Sequence, residues 1–141
     1  MATTSTRRGR AREITVFACA ICAGVHAGLV PSHLHESGRL AGAFAVAAAL
    51  AALPAIAPSR WADSRWPAGA ASALFAGLIG AYALSRTAGL APLGAERESL
   101  DLLGATTEGV EAIGLMAALW LLTDPNSSAR RLLAERPIRG G

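Results

Sequence analysis

The sequence predicts an all-α protein: a four-transmembrane-helix antiparallel bundle with both termini cytoplasmic. Three observations carry that expectation: four long apolar runs, short polar connections between them, and a one-sided distribution of arginine. Of the 141 residues, 52% are hydrophobic and 16% charged, and mean hydropathy is +0.39. Soluble domains of this length are normally less apolar and carry more charge. Each run has about 17–21 residues, enough for a helix to cross a hydrocarbon core of about 30 Å. Inside lipid the backbone must satisfy its own hydrogen bonds, so such runs must be helical.

The elements follow in chain order. Residues 1–12 are rich in Thr and Arg and read as a disordered basic tail; residues 13–124 form the transmembrane domain. The first span, about 14–30, is interrupted only by His26, and Pro31 is expected to end or break it. A secretory signal is the competing reading of this start. The apolar stretch is too long for one and no clean A-x-A site follows, so a retained helix is expected. Cys19 and Cys22, spaced i and i+3, read as small packing residues rather than a redox pair.

The connection Pro31–Arg39 is short, which makes the first two helices antiparallel neighbours. The second span, about 40–57, holds no ionisable residue and is mainly Ala, Leu and Val with Phe44, and Pro54 lies near its end. Trp61 and Trp66 in the following connection, and Trp120 later, are placed as interfacial anchors. The third span, about 68–86, carries small residues at Ala73, Gly77 and Ala81, a spacing that permits close helix approach in lipid. The fourth, about 100–122, contains Glu108 and Glu111, and an arginine-rich tail occupies 125–141.

All thirteen basic residues are arginine. Arg7, Arg8, Arg10 and Arg12 precede the first span, Arg60 and Arg65 lie in the second connection, and Arg130, Arg131, Arg136 and Arg139 follow the fourth span. Only Arg39, Arg86 and Arg97 fall on the other side. The positive-inside rule then places both termini in the cytoplasm, in a plasma (inner) membrane protein. Short basic tails offer no folded basic face for nucleic acid, so the bilayer is the expected partner, with a membrane-protein partner or homo-oligomer beside it.

The residues that need explaining are polar. Asp101, Gly104, Glu108 and Glu111 fall on one helix face. Carboxylates inside a span cost several kcal/mol in lipid, so they must face the bundle interior. All three histidines, His26, His33 and His35, cluster with Glu36 at the outer end of the first span. By helix rise, His26 lies roughly 7 Å inside Pro31 and Glu108 roughly 10 Å inside its own helix end, so the two match in depth. Imidazole with carboxylate is a ligand set for copper, zinc or iron. The candidate metal ligands are therefore His26, His33, Glu36 and Glu108, with His35 and Glu111 as possible additions. Arg86 and Asp101 are expected as an ion pair behind them. Haem is disfavoured because only His26 is buried, and no nucleotide is indicated. Ser37 and Ser85 lack the partners of a hydrolytic triad. The competing expectation is a structural or accessory subunit in which Arg86 locks the carboxylates and no site exists.

The pattern H26-x4-P31-x-H33-x2-E36, then S85-R-T-x-G-L-x-P92, then D101-x6-E108, resembles a group of small four-helix membrane proteins of actinobacterial type. The likeness runs from His26 to Glu108. It departs at Ala91, where the turn usually reads G-L-P, and at His35 and Glu111, which look like additions. The resemblance implies the topology and groups His26, His33, Glu36, Arg86, Asp101 and Glu108. It implies no activity.

Overall fold

The computed structural model describes residues 2–35, 37–56, 65–93, 99 and 101–123, with side chains from Thr6 onward. Among them the chain is helical: α1 (Ala2–Leu34), α2 (Gly38–Ile56), α3 (Trp66–Thr87) and α4 (Leu102–Thr123), with a single 3-10 turn at Ala91–Leu93. All four helices are long and apolar enough to cross a membrane. Glu36, Trp61 and the tail 125–141 lie outside the described residues.

The first helix is longer than the sequence suggested at both ends. It starts at Ala2 rather than near Ile14, the good helix formers Arg7, Arg8, Arg10, Ala11 and Arg12 outweighing Gly9 and the Thr-rich start. It also runs through Pro31 as far as Leu34. Pro31 lacks the N–H that would have bonded Ala27 O, a loss of one ladder bond in the last turn of a helix that continues for only three more residues. This continuity has a geometric result: His26 and His33, seven residues apart, stand on one face two turns from each other.

Around the bundle, α1 packs chiefly on α2 and α4, and α3 chiefly on α4; α2 and α3 touch least among neighbouring pairs. The inward face of α1 is the stripe Thr15, Ala18, Cys19, Cys22 and His26, all buried, at the three-and-four spacing of a helix face. Both cysteines are free thiols and fully buried. On α4 the matching stripe is Glu111, Gly114, Ala118 and Leu121. Phe75 of α3 is the largest of the fully buried side chains. It anchors an apolar cluster with Ala18, Cys22, Ala71, Ala118 and Leu121.

That cluster is why Gly114 is a glycine. A methyl group there would meet the Phe75 ring at 2.6 Å and Ala18 Cβ at 2.8 Å. The small residues of α3 behave differently from their sequence reading. Ala73, Gly77 and Ala81 are exposed, and nothing lies within 4 Å of the Cβ position at Gly77. They do not set a helix–helix approach within this chain.

The helix ends are closed by identifiable bonds. Ser37 caps α2: its carbonyl accepts from Ala41 N at 3.0 Å and its hydroxyl from Leu40 N at 3.3 Å. The same hydroxyl donates to Leu93 O at 2.6 Å, which ties the α1–α2 connection to the turn after α3. Gly89, at φ 74°, ends α3 in the left-handed conformation that favours glycine, and its N–H bonds Leu84 O at 2.9 Å. Trp66 and Trp120 are both exposed, near the ends of α3 and α4, as expected of aromatic rings at a membrane interface.

Substituting Gly114 by Ala is expected to destabilise the bundle by about 1–3 kcal/mol, because the Phe75 ring has no space to retreat. Gly77→Ala should change stability by less than about 1 kcal/mol in either direction. Thermal unfolding in detergent, with both variants side by side, checks the difference.

Candidate functional site

The bundle divides into a packed half and an open half. Around Phe75 the helices meet through small side chains. Toward the end that holds Ser37 and Leu93, side chains from all four helices surround a cavity of about 600 Å³. Its apolar wall comes mainly from α2 and α3, with Phe44, Ala47, Leu78 and Ala81. Its polar wall comes mainly from α1 and α4, with His26, His33, Thr107, Glu108 and Glu111. Arg86 and Asp101 close it between α3 and α4.

The histidines are set by α1. His26 is buried, and its Nδ1 lies 2.9 Å from Cys22 O. A carbonyl can only accept, so Nδ1 carries the hydrogen and the neutral ring keeps its lone pair on Nε2. This is the arrangement that orients metal-binding imidazoles. His33 stacks on Phe44 with ring centroids 4.7 Å apart, and His26 tilts against the same ring at 5.6 Å. A single aromatic residue of α2 thereby positions both imidazoles.

The carboxylates are set by α4. Glu111 is 1% exposed. Its Oε1 accepts a long, weak bond from Cys22 Sγ at 3.7 Å, and its Oε2 is buried with no hydrogen-bond partner among the described residues. Glu108, one turn earlier, is half-buried. The sequence ranked Glu108 ahead of Glu111, but Glu111 is the more deeply enclosed of the two. The buried hydroxyl of Tyr82 is the other cavity oxygen without a partner among the described residues.

Asp101 has a job that spacing did not reveal. It is the N-cap of α4: Oδ1 accepts from Gly104 N at 2.7 Å while its carbonyl accepts from Ala105 N at 3.0 Å. Its other oxygen receives Arg86 Nη2 at 2.7 Å. The Arg86 guanidinium also donates to Ser99 O and lies over the Tyr82 ring, 4.5 Å from its centroid. Gly104 leaves room for this assembly, since a Cβ there would sit 2.9 Å from Arg86 Nη2 and 2.9 Å from Tyr82 Cε2.

Of the residues singled out from sequence, His26, His33, Arg86, Asp101, Glu108 and Glu111 line this one cavity. His35 is exposed in the turn after α1 and is not in the lining; Glu36 lies outside the described residues. Among the described residues no three His, Cys, Asp or Glu side chains sit close enough together to hold an ion as they stand. His26 and His33 are separated by roughly 10 Å along α1. Sequence reasoning passed over Phe44, Tyr82 and the Cys22 thiol. Tyr82 was detectable from its i, i+4 relation to Arg86, whereas Phe44 had no signal beyond being the one aromatic residue of its helix.

No protein-family model, curated protein or solved structure matches the chain. The site's chemistry rests on its own residues.

Asp101 precedes the apolar run of α4, and its carboxyl is held below the usual aspartate range. The Gly104 backbone bond is the main cause, joined by the Arg86 hydrogen bond and charge against an opposing contribution from partial burial. A depressed carboxylate stabilises the folded state above its unfolded pKa, near 3.9, and that contribution is lost as pH falls through the folded value. Wild type should therefore lose melting temperature on acidification below about pH 4 more steeply than Asp101→Asn. Asn keeps the cap and cannot titrate, and thermal melts from pH 3 to 7 make the comparison.

Proposed function

We propose that this chain is a multi-pass protein of the plasma membrane that binds a transition metal ion in the half of its bundle away from the cytoplasm. The helices run antiparallel and both termini lie in the cytoplasm. The arginine placement supports that orientation, since ten of the thirteen arginines then fall on the inner side. The Ser37 bond to Leu93 O holds the α1–α2 connection and the turn after α3 at one end of the bundle, which agrees with both lying on the outer side.

The observation that carries the metal reading is the convergence of imidazoles from α1 and carboxylates from α4 on one cavity. His26, with its Nε2 lone pair preset by the Cys22 carbonyl, faces an intramembrane pair, Glu108 and Glu111. Ionisable groups at that depth mark ligand or ion sites, and bundle interiors build such sites from facing helices. On this reading the ion is held between His26, Glu108 and Glu111, which must draw together to ligate it, since among the described residues no three such side chains stand within ligating range. His33 stands two turns beyond His26 on the same face of α1, and with Glu36 it captures the ion on entry. Copper, zinc and iron all suit a nitrogen and oxygen ligand set. The role that follows is metal handling or sensing within the membrane.

Protein purified in mild detergent after metal supplementation should contain one transition metal ion per chain by elemental analysis. Glu108→Ala should lose it, and His33→Ala should load more slowly with a smaller loss at equilibrium. Metal-free wild type after supplementation would sink the reading.

A second reading is favoured by one specific feature. Arg86 is committed to Asp101, Ser99 and Tyr82, a lock between α3 and α4 that needs no ligand. On this reading the chain is an accessory subunit of a membrane complex. Arg86→Ala should then lower the melting temperature clearly, while alanine at His26, His33 and His35 together changes neither stability nor co-purification of a partner.

A further inference from the structure

The cavity is far larger than an ion needs. A bound water takes about 30 Å³, whereas the space between the four helices is about 600 Å³, within the roughly 300–1,000 Å³ range of small-molecule sites. Its lining is uneven: α2 contributes only apolar side chains, Leu40, Ala43, Phe44 and Ala47, whereas the carboxylates come from α4. Arg86 is paired with Asp101 at 2.7 Å, so Glu108 and Glu111 are the acidic groups of the lining outside that pair, alongside the imidazoles of His26 and His33. A second observation points to an occupant. Glu111 is 1% exposed, and its buried Oε2 has no hydrogen-bond partner among the described residues. Orphaned polar atoms at such burial are rare and costly.

We infer that this cavity binds a lipophilic organic cation, an aromatic or alkyl ammonium or phosphonium compound, with its charge against Glu111 and Glu108 and its apolar groups against Phe44, Leu78 and Tyr82. Phe44 and Tyr82 add aromatic surface to the lining, one face of Phe44 being stacked on His33 and one face of Tyr82 covered by Arg86, and a remaining face of either ring attracts a quaternary cation. The route in is lateral. The α2–α3 pair is the least tightly packed of the neighbouring helices, and Phe44 and Ala47 on one side and Leu78 and Ala81 on the other line the cavity beside that seam. A cation dissolved in the bilayer thus meets the cavity through its apolar wall. This ligand class does not depend on the metal reading. Because the two cations share Glu108 and Glu111, they exclude one another.

The test uses the full chain in nanodiscs with chelator present and tetraphenylphosphonium as the probe, measured by equilibrium binding against empty nanodiscs. Saturable binding is expected, at least about tenfold weaker in Glu111→Gln and in Phe44→Ala. Glu108→Gln should weaken it less, and tetraphenylborate, the same shape with negative charge, should show no binding above empty discs. Size exclusion and thermal melts establish that each variant is folded. Should Glu111→Gln fail to fold, Glu108→Gln and the tetraphenylborate comparison decide. No saturable binding by wild type, equal binding of the two ions, or equal affinity in the folded carboxylate variants would overturn the inference. Phosphonium binding by a chain that takes up no metal would leave this inference standing and remove the metal reading, and the reverse result would do the opposite.

Discussion

In hydrocarbon, every polar group must find its partner within the protein, and the rest of this structure follows from that constraint. Glu111 lies on the same α4 stripe as Gly114, Ala118 and Leu121, so the helix cannot turn its apolar face inward without bringing a carboxyl with it. The chain responds by confining polar groups to one half of the bundle. Hydroxyls elsewhere are consumed locally: Thr15 bonds Ala11 O and Ser72 bonds Ala68 O. What cannot be satisfied within its own helix collects around the cavity. The packed half and the open half are two outcomes of one rule.

The Arg86 assembly shows how one end of that cavity is held. A guanidinium at the end of α3, an N-cap carboxylate at the start of α4, the Tyr82 ring and the absence of a side chain at Gly104 are mutually dependent. Asp101 bonds the Gly104 N–H with one oxygen and Arg86 with the other, so the helix start and the interhelical pair are a single interaction. Arginine suits this place because its planar fork bonds and stacks at once. The wall of the cavity is therefore rigid where α3 meets α4 and loosely packed where α2 meets α3. That asymmetry matters for anything entering sideways from lipid.

Much of the fold was legible in the sequence because span length and composition are one-dimensional properties. The polar residues that line the cavity were legible for a related reason, since an ionisable residue inside an apolar run has few places to go. Pro31 misled because proline usually stops a helix in water; here the helix continues, and His33 joins the face of His26 instead of a free loop. The stripe Ala73, Gly77 and Ala81 misled because small residues permit close approach without specifying a partner. Gly114, by contrast, carried no obvious signal, yet it faces the Phe75 ring where not even a methyl group fits.

By itself, the sequence determined that there are four apolar helices, which residues cannot face lipid, and on which stripe of α4 the carboxylates stand. Those follow from hydrophobicity and helical period, which act along the chain. Only the tertiary structure decided that α1 lies between α2 and α4, that Phe44 seats two imidazoles, and that Glu111 rather than Glu108 is the enclosed carboxyl. It also opened a cavity at one end of the bundle while closing the other. These depend on the fit of side-chain volumes between helices distant in sequence, such as Phe75 into the gap left by Gly114, and no local pattern encodes that fit.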